Sequence, residues 1–221
     1  MKVYFISGLG ADERIFQNIH LPPGNEAVYL SWLTPLPKES LRSYAVRLGE
    51  SIDTKEEFGL VGLSFGGMLA TEIAAVKKPA FLILISSIAS PANLPAYYRT
   101  AGRLGMHKII PVSVLKSASF IKRFFTPETA EEKKLIWQMI RQSDPKFIRW
   151  ALEAILNWKN ENPPQNIIHI HGSKDELLPL KYTHPTHVIE KAGHLMVLRR
   201  AKEINRILHE VLPHQPEAVN T

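Results

Sequence analysis

Ser64 stands in Gly62-Leu63-Ser64-Phe65-Gly66, with a further glycine at 67. A Gly-x-Ser-x-Gly run does chemistry when it joins the end of a strand to the start of a helix. The turn is then tight enough to strain the serine backbone and push its hydroxyl outward. Large side chains two residues to either side would collide with that turn, which accounts for the glycines at 62 and 66. The hydroxyl also lies at the positive end of a helix, where developing negative charge is favoured. A serine hydroxyl is a poor nucleophile until a base takes its proton. Of nine histidines, His194 is the expected base. It lies in Lys191-Ala192-Gly193-His194-Leu195-Met196, after a predicted strand and before the last predicted helix. His171, at the end of another predicted strand, is the rival. His169 and His187 fall within strands and read as hydrogen-bonded structural residues. The base needs an acid to hold its tautomer and stabilise the imidazolium. Asp175, in His171-Gly172-Ser173-Lys174-Asp175-Glu176, is the expected partner, with Glu176 as its substitute. Two N–H donors must face the oxygen that becomes negative. One is the backbone of Phe65. The other comes from Gly8-Leu9-Gly10, with Leu9 preferred and Gly10 second. The order Ser, Asp, His along the chain suits a sheet of strands linked by helices.

Such residues need a scaffold that delivers them to one edge. Lys2–Ser7 is a short apolar run stopped by glycine, which predicts a buried strand. Asp12 then caps a short helix with Ile15, Phe16 and Ile19 inward. Further strands are predicted at 27–31, 58–63, 80–86, 166–171 and 186–190. Helices are predicted from Ser40 through Ile52, over 66–76, and over 196–211 as one closing helix. Strands that are apolar almost throughout are covered on both faces, as in parallel sheets. Alternating strands and helices predict an α/β, mostly parallel sheet of about six strands with helices on both faces. From Pro91 the alternation stops for about 70 residues of helical pattern, ending in an amphipathic helix over 145–158. The expected organisation is a core of residues 1–90 and 159–221, with 91–158 as a helical cap insertion plus a returning core helix. The tail after Pro213 reads as frayed. Ligands in open α/β sheets bind outside the carboxyl ends of the strands. The insertion would roof that edge.

The chain has 221 residues, 45% hydrophobic and 22% charged. That excludes disorder and fibre, and it leaves enough chain to bury a core without staples. There is no cysteine, which excludes disulfides, thiolate metal sites and a cysteine nucleophile. No run approaches the roughly 18 apolar residues of a membrane span, and the apolar stretch after Lys2 is too short for a secretory signal. A cytoplasmic location without membrane insertion is expected. The formal net charge is +6. Residues 99–149 hold eleven Lys and Arg against Glu128, Glu131, Glu132 and Asp144, a net of +7, so the rest of the chain is slightly acidic. The basicity belongs to the insertion. It reads as a solvated face or as a device that steers anionic substrates. Nucleic-acid binding is not expected, since no recognition motif or long basic run occurs. Gly8-Leu9-Gly10-Ala11-Asp12-Glu13 is a poor dinucleotide fingerprint, because Glu13 would repel a pyrophosphate.

With these motifs in view, the chain resembles the α/β-hydrolase superfamily over nearly its whole length. The likeness rests on Gly62-Leu63-Ser64-Phe65-Gly66-Gly67, on His171 to Asp175, on Gly193-His194, and on Ser7-Gly8-Leu9-Gly10-Ala11-Asp12. It implies a Ser64–Asp175–His194 triad, a helical cap between the fourth and fifth strands, and hydrolysis of esters or related bonds with no cofactor and no metal. Many members carry His-Gly where this chain has Ser7-Gly8. The N-terminal antiparallel strands of larger members are missing, and Asp175 and His194 lie only 19 residues apart. The expected activity is cleavage of a small-molecule carboxylic ester through an acyl-enzyme on Ser64. The basic insertion favours an anionic acyl group or a thioester carrier. The alternatives are thioester or C–C bond hydrolysis by the same triad, and a non-enzymatic small-ligand receptor. Phe120, Phe124, Phe125, Ile136, Trp137, Met139, Tyr97 and Tyr98 are candidates for an acyl pocket, or for packing of the insertion on the sheet.

Overall fold

The computed structural model describes residues 1–105, 112–116, 129–160 and 163–212. Six strands form one sheet: β1 (Lys2–Ile6), β2 (Glu26–Tyr29), β3 (Phe58–Leu63), β4 (Phe81–Ile85), β5 (Ile167–Gly172) and β6 (His187–Ile189). Their spatial order is β2-β1-β3-β4-β5-β6. Every neighbouring pair is parallel, so the sheet is wholly and not just mostly parallel. β3 and most of β1 and β4 are buried throughout, as continuous apolar runs covered on two faces should be. β2 is an edge strand, with Glu26, Ala27 and Tyr29 exposed.

The helices are α1 (Leu41–Gly49), α2 (Phe65–Lys77), α3 (Ala96–Arg103), α4 (Val112–Leu115), α5 (Ala130–Gln142), α6 (Pro145–Leu156), α7 (Met196–Arg199) and α8 (Ala201–Val211). Alternation of side chains along the strands produces two cores. Tyr4, Ile6, Leu60, Leu82 and Leu84 pack beneath α1, α2 and α6. Val3, Phe5, Val61, Ile83, Ile85 and Ile170 pack beneath Ile15 and Phe16, α7 and α8, with Ile136 and Met139 of α5 at the rim. Helix starts follow local chemistry. Ser40 caps α1 through the N–H of Ser43. Thr129 and Glu132 form a reciprocal box at the start of α5, and Asp144 caps α6 ahead of Pro145. Asp12 caps a turn of 3₁₀ helix at Glu13–Phe16.

The closing segment departs from the predicted single helix. The backbone bends at Arg200, with φ −114° and ψ 28°, and separates α7 from α8. The bend turns both apolar faces, Met196 to Leu198 and Ala201 to Leu208, into one core. The helical segment between β4 and β5 is tied to the sheet from both sides. Arg199 pairs with Glu132 at 3.3 Å. Arg14 bonds Gln142, and the Trp150 Nε1–H donates to the Glu39 carbonyl at 2.8 Å. Phe120, Phe124, Phe125, Lys108, Lys122, Arg123, Glu128 and the tail after Pro213 lie outside the described residues. Among the described residues no helix is long and apolar enough to cross a membrane.

The strand order reverses at β1. The chain leaves β1 for β2 on one side, then returns to lay β3 on the other. That leaves a crevice between the carboxyl ends of β1 and β3. The loop after β2 borders it and is pinned by Tyr44 of α1. The Tyr44 hydroxyl donates to the Leu33 carbonyl at 3.0 Å and accepts from the Leu33 N–H at 2.8 Å. Burial pushes this phenol up to about 12. Tyr44→Phe leaves both Leu33 groups without that partner in a dry site, so about 1–3 kcal/mol of stability should be lost. Urea unfolding followed by circular dichroism measures it, and an unchanged midpoint would show that water replaces the hydroxyl.

Candidate active site

Three loops at the carboxyl edge supply the polar groups. The first is the turn between β3 and α2. Ser64 has φ 51° and ψ −118°, a region that L-residues rarely occupy without an over-determined setting. The Ser64 N–H donates to the Ile85 carbonyl at 2.9 Å. The Ser64 carbonyl accepts from the Gly67 N–H at 2.9 Å and from the Ser87 hydroxyl at 2.6 Å. The flanking glycines are demanded by space. A Cβ on Gly62 would collide with the backbone of Gly67, and one on Gly66 with the carbonyls of Ile6 and Ser7. The first turn of α2 is thus pressed against the end of β1. The Phe65 N–H opens that helix, where no preceding turn offers a carbonyl.

The second loop follows β1. Ser7 is buried, and its hydroxyl donates to the Ala11 carbonyl at 3.0 Å. The Trp32 Nε1–H donates to the same carbonyl at 2.9 Å, and the Ala11 N–H closes a turn on the Gly8 carbonyl at 3.0 Å. Serine here anchors the loop from within. Gly10 takes φ +80°. Gly8 lies so close to the elbow that a Cβ there would sit 3.4 Å from the Cβ of Ser64. Leu9 is the next residue of this loop and packs partly buried against the core beneath α2.

The third contribution comes from the loops after β5 and β6. The His194 Nε2 lies 2.9 Å from Ser64 Oγ, and its Nδ1 lies 2.8 Å from Asp175 Oδ2. Asp175 and His194 are each 4% exposed. The other carboxylate oxygen, Oδ1, accepts the N–H groups of Leu177 and Leu178 at 2.9 and 2.8 Å. Burial raises the Asp175 pKa, but the His194 charge and hydrogen bond, the Leu178 N–H and His171 outweigh it, so the carboxyl is held below its ordinary range. Glu176, the substitute acid, is exposed. His171, the rival base, reaches Asp175 instead of Ser64: its Nε2 is 3.4 Å from Oδ2 and 2.8 Å from the Leu178 carbonyl. Gly172 lets these two loops meet, since a Cβ there would strike the Ala192 carbonyl.

The structure thus brings Ser64, His194 and Asp175 into one hydrogen-bonded series, with Phe65 next to the serine in the chain and Gly8, the neighbour of Leu9, against it. Sequence reasoning missed Ser87, Trp32 and the role of His171. Ser87 follows β4 at the same edge, which was the available signal; the contacts of Trp32 and His171 are tertiary. Beside the loop after β1 is a cavity of about 240 Å³, lined among others by Gly10, Ala11, Trp32, Met139, Ser143 and Phe147. Ser64, Asp175 and His194 are not in its lining. Met139 and Ile136 are buried against the sheet, while Tyr97 is exposed.

A profile of the alpha/beta hydrolase family matches residues 3–207. The chain belongs to this family. No curated protein matches its sequence. Among solved structures, it is similar to a thermophilic esterase from Thermogutta terrifontis, at 18% identity and TM-score 0.66, over 95% of this chain and 88% of that one. It is also similar to a lipase-esterase related protein from Clostridium acetobutylicum, at 14% identity and TM-score 0.71, over 96% and 94%. An esterase from Exiguobacterium antarcticum is a third, at 16% identity and TM-score 0.69, over 94% and 90%. At these identities the likeness concerns the fold, which in this chain is a six-stranded parallel sheet with helices on both faces.

The buried histidines behind Asp175 make stability depend on pH. Burial, then the nearby His171 and His184, pushes His169 down from 6.5 to about 4. Burial also lowers His171. Between those values the unfolded chain holds more protons than the native one, so stability must fall as pH falls. Asp175, lowered in the native state, adds a loss as pH drops through its folded value. Urea midpoints should therefore decline from pH 7 to pH 4, and His169→Leu should flatten the upper part of that decline. A midpoint independent of pH would mean that these groups bind protons equally in the native and unfolded chain.

Proposed function

We propose that the chain hydrolyses carboxylic esters through an acyl-enzyme on Ser64. The observation that carries this reading is the continuous series from Ser64 Oγ through His194 to Asp175, at 2.9 and 2.8 Å. His194 Nε2 takes the serine proton as Oγ bonds to the acyl carbon. The carbonyl oxygen becomes negative and accepts hydrogen bonds from the Phe65 and Leu9 N–H groups, with Gly10 as the alternative to Leu9. Asp175 keeps Nδ1 protonated and stabilises the imidazolium. The imidazolium then gives its proton to the departing alcohol as the C–O bond breaks. In the second half His194 takes a proton from water, the hydroxide carbon bond forms, and Ser64 leaves with the proton returned. The product is a carboxylic acid.

A fluorophosphonate probe should label the wild type, and Ser64→Ala should abolish labelling. Ester turnover by that variant should fall by at least about 10³-fold, the scale on which triad members act together. Labelling that persists in Ser64→Ala would place the nucleophile elsewhere.

The helical segment between β4 and β5 is proposed as a cap that selects substrate. Arg99, Arg103, Lys133, Lys134, Arg141, Lys146 and Arg149 on it are exposed. A field of this sign raises the encounter rate of anionic substrates and is screened by salt, which favours an acidic acyl group, whether ester or thioester. With paired esters that differ only in a terminal carboxylate, kcat/KM for the acidic member should exceed that of the neutral one and fall as salt rises. Equal values at low salt would remove the charge argument.

A further inference from the structure

Two histidines behind the proposed triad form a second hydrogen-bonded pair that the ester mechanism does not use. His169 and His171 sit two residues apart on β5 and so share a face of the sheet. They are 4% and 0% exposed. His169 Nε2 lies 3.2 Å from His171 Nδ1, with the rings nearly perpendicular at 86°. His171 Nε2 meets two oxygens that only accept: the Leu178 carbonyl at 2.8 Å and Asp175 Oδ2 at 3.4 Å. The Leu178 N–H in turn donates to Asp175 Oδ1 at 2.8 Å. His171 therefore grips the loop that carries the acid at both its backbone and its carboxylate.

The acceptors decide where the protons sit. A neutral imidazole has one N–H and one bare nitrogen. If His171 were protonated on Nδ1, its bare Nε2 would face a carbonyl and a carboxylate. The Nε2–H form satisfies that side and leaves Nδ1 to accept from His169 Nε2–H. His169 also meets a Ser87 backbone acceptor, so its neutral ring has one N–H for two acceptors; the Nε2–H form gives it to His171 and leaves Ser87 without a donor from this ring. The groups facing the pair are Asp175 and His194 beside His171, His184 and the Ser87 backbone beside His169, and Thr186, whose hydroxyl bonds the His169 backbone. From α3, the Tyr98 hydroxyl donates to the Leu177 carbonyl at 3.1 Å in the same loop.

Resting on the hydrolase reading above, we infer that His171 is a positioning residue for Asp175, and that His169 fixes the tautomer in which His171 performs that role. The line runs His169, His171, Asp175, His194, Ser64. By donating to Oδ2, His171 holds the carboxylate and disperses part of its charge. Without that donor the carboxylate binds an imidazolium more strongly.

The test combines ¹⁵N-histidine NMR of the wild type with kinetics of His171→Leu, His171→Gln and His169→Leu. Glutamine places an N–H donor where Nε2 stands. At pH 7 the expected spectrum has both rings neutral and His171 in the Nε2–H form. His171→Leu should lower kcat by about tenfold with KM unchanged, and move the acidic limb of kcat/KM to higher pH. His171→Gln should recover most of both, and His169→Leu should show a smaller loss of the same kind. An Nδ1–H tautomer at His171 overturns the inference, and so does a glutamine variant no better than leucine or an acidic limb that stays in place. The NMR signature needs no variant to fold. Absence of fluorophosphonate labelling in the wild type would instead defeat the hydrolase reading, and would take the catalytic role of the pair with it while the tautomer is still read directly.

Discussion

The close approach of α2 to the end of β1 sets the geometry of everything else at this edge. Gly66 has no room for even a methyl group, because the carbonyls of Ile6 and Ser7 occupy that space. This contact forces the serine between β3 and α2 into a left-handed backbone. It aims the first N–H groups of α2 into the crevice and draws the β1 loop alongside. The strain is held by neighbours: Ile85 accepts the Ser64 N–H, and Ser87 donates to its carbonyl. A parallel sheet suits such an arrangement, since every strand delivers its carboxyl end to the same side.

Asp175 and His194 reach this edge by a different route. They ride on short loops after β5 and β6, at the edge of the sheet far from β2. Their precision comes from hydrogen bonding of the loops themselves. Asp175 takes two backbone N–H groups from its own loop, and the Lys174 N–H donates to Ala192 in the neighbouring one at 2.8 Å. Burial in such a place would favour a neutral carboxyl. The donors around Asp175 reverse that preference and keep it charged opposite His194.

Much of this was legible from residue order. Ser64, Asp175 and His194 each follow an apolar run read as a strand, and strands of this kind end at one edge. The helix starts at Ser40 and Asp12 were marked by their capping side chains. What could not be read were contacts between residues remote in sequence. Nothing local says that Trp32 and Ser7 share the Ala11 carbonyl. The spacing of His169 and His171 puts them on one face, yet it does not say that the face meets Asp175. The bend at Arg200 was hidden for a similar reason: the apolar pattern continues through it, and only packing against the sheet decides where the axis turns. The insertion was legible as helical and basic, while its seating on both cores depends on Arg14, Glu132 and Trp150 finding distant partners.

The order of the reactive groups along the chain has a consequence for biosynthesis. The strained serine is made early, at position 64, and the imidazole that would activate it comes 130 residues later. A ribosome emits residues from the N-terminus, so the nascent chain carries an inert alcohol for most of translation. On the proposed reading, reactivity would await the docking of β6 on β5, which brings His194 to Ser64. A product truncated before residue 194 would lack the imidazole that lies 2.9 Å from Ser64 Oγ.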